Sequence, residues 1–356
     1  MKTYETTTMQ ANSFGITQAV SALKEGYPVA LPTETVYGLG ADAFNLDAIQ
    51  AVFAAKQRPQ SDPLIVHVSS SSATLDSLAS QEIIDRESIT AVMAEVYEDL
   101  MQKFWPGPLT LLFPRGRKID ASVTSGQPYV AVRQPDHPVF LEILERLQRP
   151  IVAPSANLFG RISPTTAAHV YNQLEGRIRF IVDGGTCCVG VESTIIRVEE
   201  DGSLTLLRPG GVSVERIFSS TGLPVKSLET TTQEEAAPLA PGRLSKHYAP
   251  SKRTLMVTSV KDLMDIDFLL QVRAGILSTR PGSSLASDLI AAFPETAWTI
   301  ESLPHDREGQ AAAANIFSAL HRLDALSLDL ILVEAPDQCD HLWRATVDRL
   351  TRAASD

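Results

Sequence analysis

The chain has 356 residues, 44% of them hydrophobic, and a formal net charge of −11. That length argues for two domains with substantial cores, and the negative charge opposes the broad electrostatic attraction on which nonspecific nucleic-acid binding relies. Cys187, Cys188 and the distant Cys339 make no disulfide framework, Met1 to Phe14 contains no apolar signal-like stretch, and no apolar run approaches the ~18–20 residues that span a membrane, so a soluble cytoplasmic protein is expected.

From about residue 15 to 210, short apolar runs alternate with helical spacing, an α/β rhythm. A strand at Val29–Leu31 leads into Pro-Thr-Glu-Thr-Val-Tyr-Gly-Leu-Gly40. Residues 46–56 carry Ile49, Val52 and Phe53 at helical spacing and end on Lys56, with Arg58-Pro59 next. The two cations read as a phosphate-binding site in a solvated cleft. Cations at a helix C-terminus also stabilise it by roughly 0.3–1 kcal/mol with no ligand at all. Strands are expected at Leu64–Val68, Leu109–Phe113, Tyr129–Arg133 and Pro150–Ala153, with a helix near 137–147 whose Phe140, Ile143, Leu144 and Leu147 share a face. Val152-Ala-Pro-Ser155-Ala-Asn157 then runs to Ser163-Pro164-Thr165. There Ser163 is expected to cap a helix with proline at its first position, where unpaired N–H groups suit an anion. Strands at Phe180–Val182, Thr194–Val198 and Leu204–Leu207 follow.

Residues 219–250 are Ser/Thr-rich and acidic, then Ala-Ala-Pro-Leu-Ala-Pro-Gly, and read as a linker. Beyond them, strands at 254–257, 275–279, 297–300 and 329–334 alternate with helices near 260–272, 284–293, 307–326 and 341–354. This is the pattern of a small doubly wound parallel sheet. No fixed-period repeat is present.

Gly38-Leu-Gly40-Ala-Asp-Ala43 fits G-x-G-x-x-A, but a polar Thr-Glu-Thr-Val-Tyr segment separates it from the preceding strand. A turn and close backbone approach are therefore a better reading than a dinucleotide fingerprint. The chain has no P-loop, H-E-x-x-H or C-x-x-C pattern, so neither a P-loop ATPase nor a zinc enzyme is indicated. By itself His67, within an apolar strand, reads as a hydrogen-bonded structural residue. Arg133, at a strand end, reads as an ion-pair residue or, through its planar fork, a carboxylate clamp.

Several segments recur in one order: Thr-Glu-Thr-Val-Tyr-Gly-Leu-Gly, Lys-x-Arg-Pro, Pro-Leu-Ile-Val-His, Trp105-Pro-Gly-Pro-Leu-Thr110, Val132-Arg133, Pro154-Ser-Ala-Asn157 and Val191-Glu-Ser193-Thr194. Over roughly residues 15–215 this order resembles the threonylcarbamoyl-AMP synthase family. Pro241-Gly-Arg-Leu-Ser-Lys-His247-Tyr248-Ala-Pro250 is similar to the linker of the family's two-domain, Sua5-type form. The resemblance implies a YrdC-like catalytic domain at 15–215 with a twisted mixed open sheet, a linker at 216–250 that covers the site, and a smaller doubly wound, Rossmann-like domain at 251–356. It also implies synthesis of L-threonylcarbamoyladenylate from L-threonine, bicarbonate and ATP, for threonylcarbamoylation of adenosine 37 in tRNA.

On that basis Thr35, His67, Arg133 and Ser193 would contact threonine. Lys56, Arg58, Ser155, Asn157, Ser163, Arg208 and Tyr248 would contact ATP, with packing between the domains an equal alternative for Tyr248. Lys56 and Arg58 would act as electrostatic stabilisers and no covalent nucleophile is required. Mg2+ is expected with ATP, its protein ligands unassigned. The implied partner is a downstream tRNA threonylcarbamoyl transferase complex; a weak direct contact with tRNA is left open. Asp62 departs from the asparagine often found in the family, and a carboxylate there would repel phosphate unless it helps hold a cation. The alternatives are an adenylate-forming enzyme that uses carbamoyl phosphate, and an RNA-binding translation or ribosome-assembly factor.

Overall fold

A computed structural model describes residues 3–227, 239, 241, 247–263, 272–280, 282–337 and 340–355. The chain divides into two compact units, the first comprising Met1–Phe159, Pro164–Cys188 and Glu192–Leu244, the second Gly160–Ser163, Val189–Val191 and Ser245–Asp356.

The first unit begins with β1 (Thr7–Gln10), α1 (Ser13–Lys24), β2 (Val29–Leu31), β3 (Gly38–Asp42), α2 (Leu46–Lys56), β4 (Ile65–His67), α3 (Leu75–Ser80) and α4 (Ala91–Phe104). It continues through β5 (Leu109–Pro114), β6 (Tyr129–Arg133), α5 (Pro138–Leu147), β7 (Ile151–Val152), α6 (Ala167–Leu174), β8 (Phe180–Asp183), β9 (Thr194–Val198), β10 (Leu204–Arg208), α7 (Val214–Thr221) and β11 (Val225–Ser227). The strands form one mixed, open sheet of eleven in the order β1-β8-β2-β3-β7-β4-β6-β5-β9-β10-β11.

Alternation along the central strands decides what each face carries. Val66, Val132, Leu111, Phe113 and Ile196 join the main core, with α2, α3, α4 and α6 packed over them. On the other face α1 and α5 cover β2, β7 and β8 through Ile16, Leu23, Phe140 and Leu144. Further along that face, Ile65, Ala131, Leu112, Ile195 and Leu207 form a small buried cluster to which no described helix contributes. His67 and Arg133 lie two residues beyond Ile65 and Ala131 and so share this face, as Thr110 does with Leu112.

Helix α2 shows why the local sequence folds as it does. The Asn45 side chain accepts from the Ala48 amide at the N-cap, and Ile49, Val52 and Phe53 face the core, each contributing about 1.5–3 kcal/mol. The helix stops where Gln57 turns left-handed at φ 53°, and Pro59 follows. Gly38 and Gly40 sit inside β3, which corrects the expected turn there. The close-approach expectation does apply: a Cβ on Gly40 would lie 3.0 Å from both Ile151 and Leu31 side chains.

The first unit exceeds 15–215 at both ends. β1 pairs with β8, and β11 pairs with β10 in parallel. Helix α7 and β11 therefore occupy the start of the stretch expected to be a linker. Val214, Ile217 and Phe218 carry the i, i+3, i+4 spacing of a short helix behind the Ser213 cap, a signal that the acidic, Ser/Thr-rich composition of the following stretch masks. Most of residues 228–246, the remainder of that expectation, lie outside the described residues.

The second unit contains β12 (Arg253–Val257), β13 (Arg273–Ser278), α8 (Leu285–Ala292), β14 (Ala297–Ser302), α9 (Gln310–Ala325), β15 (Leu330–Glu334) and α10 (Trp343–Ala353). Its four strands are all parallel, in the order β12-β15-β13-β14. Leu289 of α8 packs on the Ile276 face of β13 and Leu323 of α9 on the Gly275 face, so helices cover both sides, as in a doubly wound sheet. Of the helix expected near 260–272, Val260–Leu263 is a 3-10 turn and 264–271 lie outside the described residues.

Candidate active site

Thr35 and Arg133 meet directly. Arg133 Nη1 donates to Thr35 Oγ1 at 3.0 Å, Nε donates to the Gly107 carbonyl at 3.1 Å, and Nη2 forms an ion pair with Glu34. The loop after β2 is held for this contact by Thr33, whose hydroxyl takes the Thr35 amide at 3.1 Å and lies 2.8 Å from Thr35 Oγ1. Each of the three guanidinium nitrogens of Arg133 thus faces a protein group. His67 is the register partner of Arg133 across β4 and β6, 3% exposed, with Phe140 at 5.2 Å from its ring.

Burial, reinforced by the Arg133 charge, pushes His67 down to about 3. Its folded pKa is thus below the unfolded value, so between pH 6.5 and 3 the unfolded chain binds the extra proton. Stability is complete above pH 6.5 and falls on acidification, on the order of 1.4 kcal/mol per pH unit. In the second unit His321, pushed to about 4 chiefly by burial, contributes with the same sign. Chemical denaturation between pH 7.5 and 4.5 should show this loss, with a shallower slope in His67→Gln; identical slopes would rule out His67 as a source.

Ser193 and Arg208 also meet. Arg208 donates through Nη2 to the Ser193 carbonyl at 2.9 Å and hydroxyl at 3.1 Å, and the Ser193 hydroxyl is 2.7 Å from that of Thr110. Thr110 closes the Trp-Pro-Gly-Pro-Leu-Thr segment yet was not among the expected site residues; Glu34, inside Thr-Glu-Thr, was missed in the same way. The quoted motifs contain both residues, and only the packed strands bring them against Ser193 and Arg133.

Lys56 is 1% exposed and donates to the carbonyls of Ser155 and Asn157, each at 2.5 Å. Burial, then the Arg58 charge, holds its ammonium well below the usual lysine range. Arg58 is 8% exposed and donates to the carbonyls of Asp62 at 3.1 Å and Pro63 at 2.7 Å; the Asp62 carboxylate is 2.9 Å from its guanidinium. These cations are therefore buried, correcting the solvated cleft, and the cation that Asp62 helps hold is Arg58. An ammonium has three donors, and two carbonyls leave Lys56 one for a ligand.

Backbone bonds tie these clusters together. Gly38 bridges Ser155, and the Ala156 amide donates to the Tyr37 carbonyl at 2.7 Å, joining the Thr35 loop to the Ser155 loop. Gly107 joins Arg133 to Pro108, whose carbonyl accepts the Thr194 amide at 3.0 Å.

Two expected nucleotide residues group with the second unit instead. Ser163 is fully buried, and its carbonyl lies 3.1 Å from His321 Nε2. It does not cap a helix: α6 starts at Ala167, and Thr166 caps it by accepting the His169 amide. Proline at 164 leaves room for Thr165 and Thr166 before the helix, and the nearer hydroxyl takes the cap. Tyr248, also fully buried, packs its ring 5.4 Å from Phe317, with the Arg349 guanidinium 5.4 Å away. Cys187 is buried and its thiol is pushed up to about 12, mainly by burial, which suits a packing role.

Residues 21–210 match the sequence profile of the Sua5/YciO/YrdC family, described as telomere recombination, and residues 212–355 match the profile described as threonylcarbamoyl-AMP synthase, C-terminal domain. The chain is 36% identical to a threonylcarbamoyl-AMP synthase of Bacillus subtilis, over 97% of this chain and 94% of the relative. It is 36% identical to that of Schizosaccharomyces pombe, over 92% and 85%. The crystal structure of Pyrococcus abyssi Sua5 complexed with L-threonine superposes with a TM-score of 0.81 at 32% identity, covering 98% of each chain.

Proposed function

Because the chain belongs to the Sua5/YciO/YrdC family in its two-domain, Sua5-type form, we propose that it joins L-threonine, bicarbonate and ATP into L-threonylcarbamoyladenylate, releasing diphosphate and water. The product is the activated donor for threonylcarbamoylation of adenosine 37 in tRNA, passed to a downstream transferase complex. The observation that carries the reading is the gathering of Thr35, His67 and Arg133 at the ends of β4 and β6, beside Phe140 of α5, in a fold that matches a threonine-bound relative.

Threonine's amine and bicarbonate give a carbamate, whose oxygen attacks the α-phosphorus of ATP as diphosphate leaves. Such a transfer depends on alignment and charge stabilisation and needs no protein nucleophile. Arg133, Thr35, His67 and Ser193 align threonine. Lys56, Arg58, Ser155, Asn157 and Arg208, all of the first unit, line the nucleotide side. Lys56 then acts as a buried charge with one donor for a phosphate, a setting in which an electrostatic contact is stronger than in water.

Among the described residues no group of three or more His, Cys, Asp or Glu could hold a metal ion. We assign Mg2+ to the substrate, carried on the phosphates of ATP, where it would neutralise their charge. No described helix is long and apolar enough to cross a membrane. We place the reaction in the cytoplasm, with its tRNA pathway.

The test supplies the protein with Mg2+, ATP, L-threonine and bicarbonate and follows labelled threonine and labelled bicarbonate by mass spectrometry. Both labels should enter one AMP adduct, and serine should react more weakly, since a missing methyl in a fitted pocket is worth about 1–3 kcal/mol. If only carbamoyl phosphate generates an adenylate, the threonine assignment is wrong.

A further inference from the structure

Glu34 is 4% exposed, and among the described residues neither of its carboxylate oxygens accepts a hydrogen bond; its partner is the Arg133 guanidinium, whose Nη2 likewise makes no hydrogen bond to a described residue. A buried ion pair with unsatisfied atoms is poor stabilisation, because desolvating two charges offsets most of their attraction. Arg133 has Nε on Gly107 and Nη1 on Thr35, so Nη2 is the nitrogen through which it can grip an incoming carboxylate, and Glu34 occupies it. The reaction also needs a base, because threonine's amine must lose a proton before it can attack carbon. His67 is held neutral and too acidic when protonated to keep that proton.

We propose that Glu34 is the proton acceptor for threonine's ammonium, released for that task when the substrate carboxylate takes Arg133 Nη2 from it; this rests on the synthase reading above. Ammonium and bicarbonate give carbamate, one water and one proton. One N–H bond breaks toward a Glu34 oxygen and the freed nitrogen lone pair forms the N–C bond; a second N–H proton then passes to the hydroxyl of bicarbonate, whose C–O bond breaks to release water. The proton passes to solvent when the product departs.

The groups around Glu34 fit the exchange. His137, at the start of α5, is held below the usual imidazole range, mainly by burial, while the charge of Glu34 opposes that shift. Cys187 and Cys188 line the β8–β9 loop, the Cys188 thiol donating to the Glu34 carbonyl at 3.8 Å. Arg133 is the cation paired with Glu34, so a substrate carboxylate that takes Nη2 leaves a Glu34 oxygen facing the ammonium of the same substrate.

The test compares kcat and KM for threonine in the full chain against pH. Glu34→Gln should lower kcat at neutral pH about 10²–10⁴-fold without raising KM for threonine, and the deficit should shrink as pH rises and the ammonium loses its proton unaided. Glu34→Ala, as the second variant, should recover turnover with added formate. Wild-type kcat in Glu34→Gln, or a raised KM at unchanged kcat, overturns the role; so does a Glu34→Ala deficit that formate leaves untouched. In those cases wild-type protein still makes the adduct. If wild-type protein makes none, the synthase reading itself is what fails.

Discussion

Replacing Arg133 with alanine is expected to abolish threonine-dependent product and to destabilise the first unit by about 3–5 kcal/mol, because it leaves Glu34 buried without its counter-charge. The Gly107 carbonyl and the Thr35 hydroxyl lose their donor in the same step. Arg133→Lys separates the two effects. An ammonium restores charge opposite Glu34 but cannot reach Gly107, Thr35 and Glu34 together, so stability should return in part and threonine binding should not. Calorimetric threonine titration with chemical denaturation of each variant is the measurement. Wild-type threonine affinity in folded Arg133→Ala would show that the carboxylate is gripped elsewhere.

Lys56→Ala should be the next largest loss. One charge-assisted phosphate bond accounts for about 1.5–3 kcal/mol, roughly ten- to hundredfold in ATP use. The Ser155 and Asn157 carbonyls also lose their shared donor, at about 1–3 kcal/mol for each group left unsatisfied. A lower melting temperature should therefore accompany the raised KM for ATP, and Lys56→Met, which refills the volume, should recover melting more than ATP use. Unchanged ATP affinity and turnover in either folded variant would take Lys56 out of the nucleotide site.

Much of the fold was legible because its signals are local. The spacing of Ile49, Val52 and Phe53 gave α2, and the apolar runs Val29–Leu31 and Tyr129–Arg133 are strands with those bounds. All four strands of the second unit fall where alternating runs put them. Elements with weak or misleading local signals were missed or misread. β1 is an edge strand of Thr7–Gln10 with mostly exposed side chains, α7 runs into the acidic, Ser/Thr-rich stretch that masks it, and β3 carries glycines that favour turns until Leu31 and Ile151 pack against them.

Residue types and order alone determined the family, the two-unit plan and most of the candidate side chains, because phosphate and carboxylate recognition draw on a short list of groups. Only the tertiary structure decided their state. Lys56 meets Ser155 and Asn157 across about a hundred residues of chain, Arg133 meets Thr35 across a similar span, and Arg208 reaches Ser193 from the far end of a hairpin. Whether a cation is solvated or buried, and whether a carboxylate such as Glu34 faces water or an arginine, depends on which distant strands lie side by side. The dielectric around a charge is a property of the packed sheet, and it turned two expected surface cations and one overlooked glutamate into the buried electrostatic framework of the site.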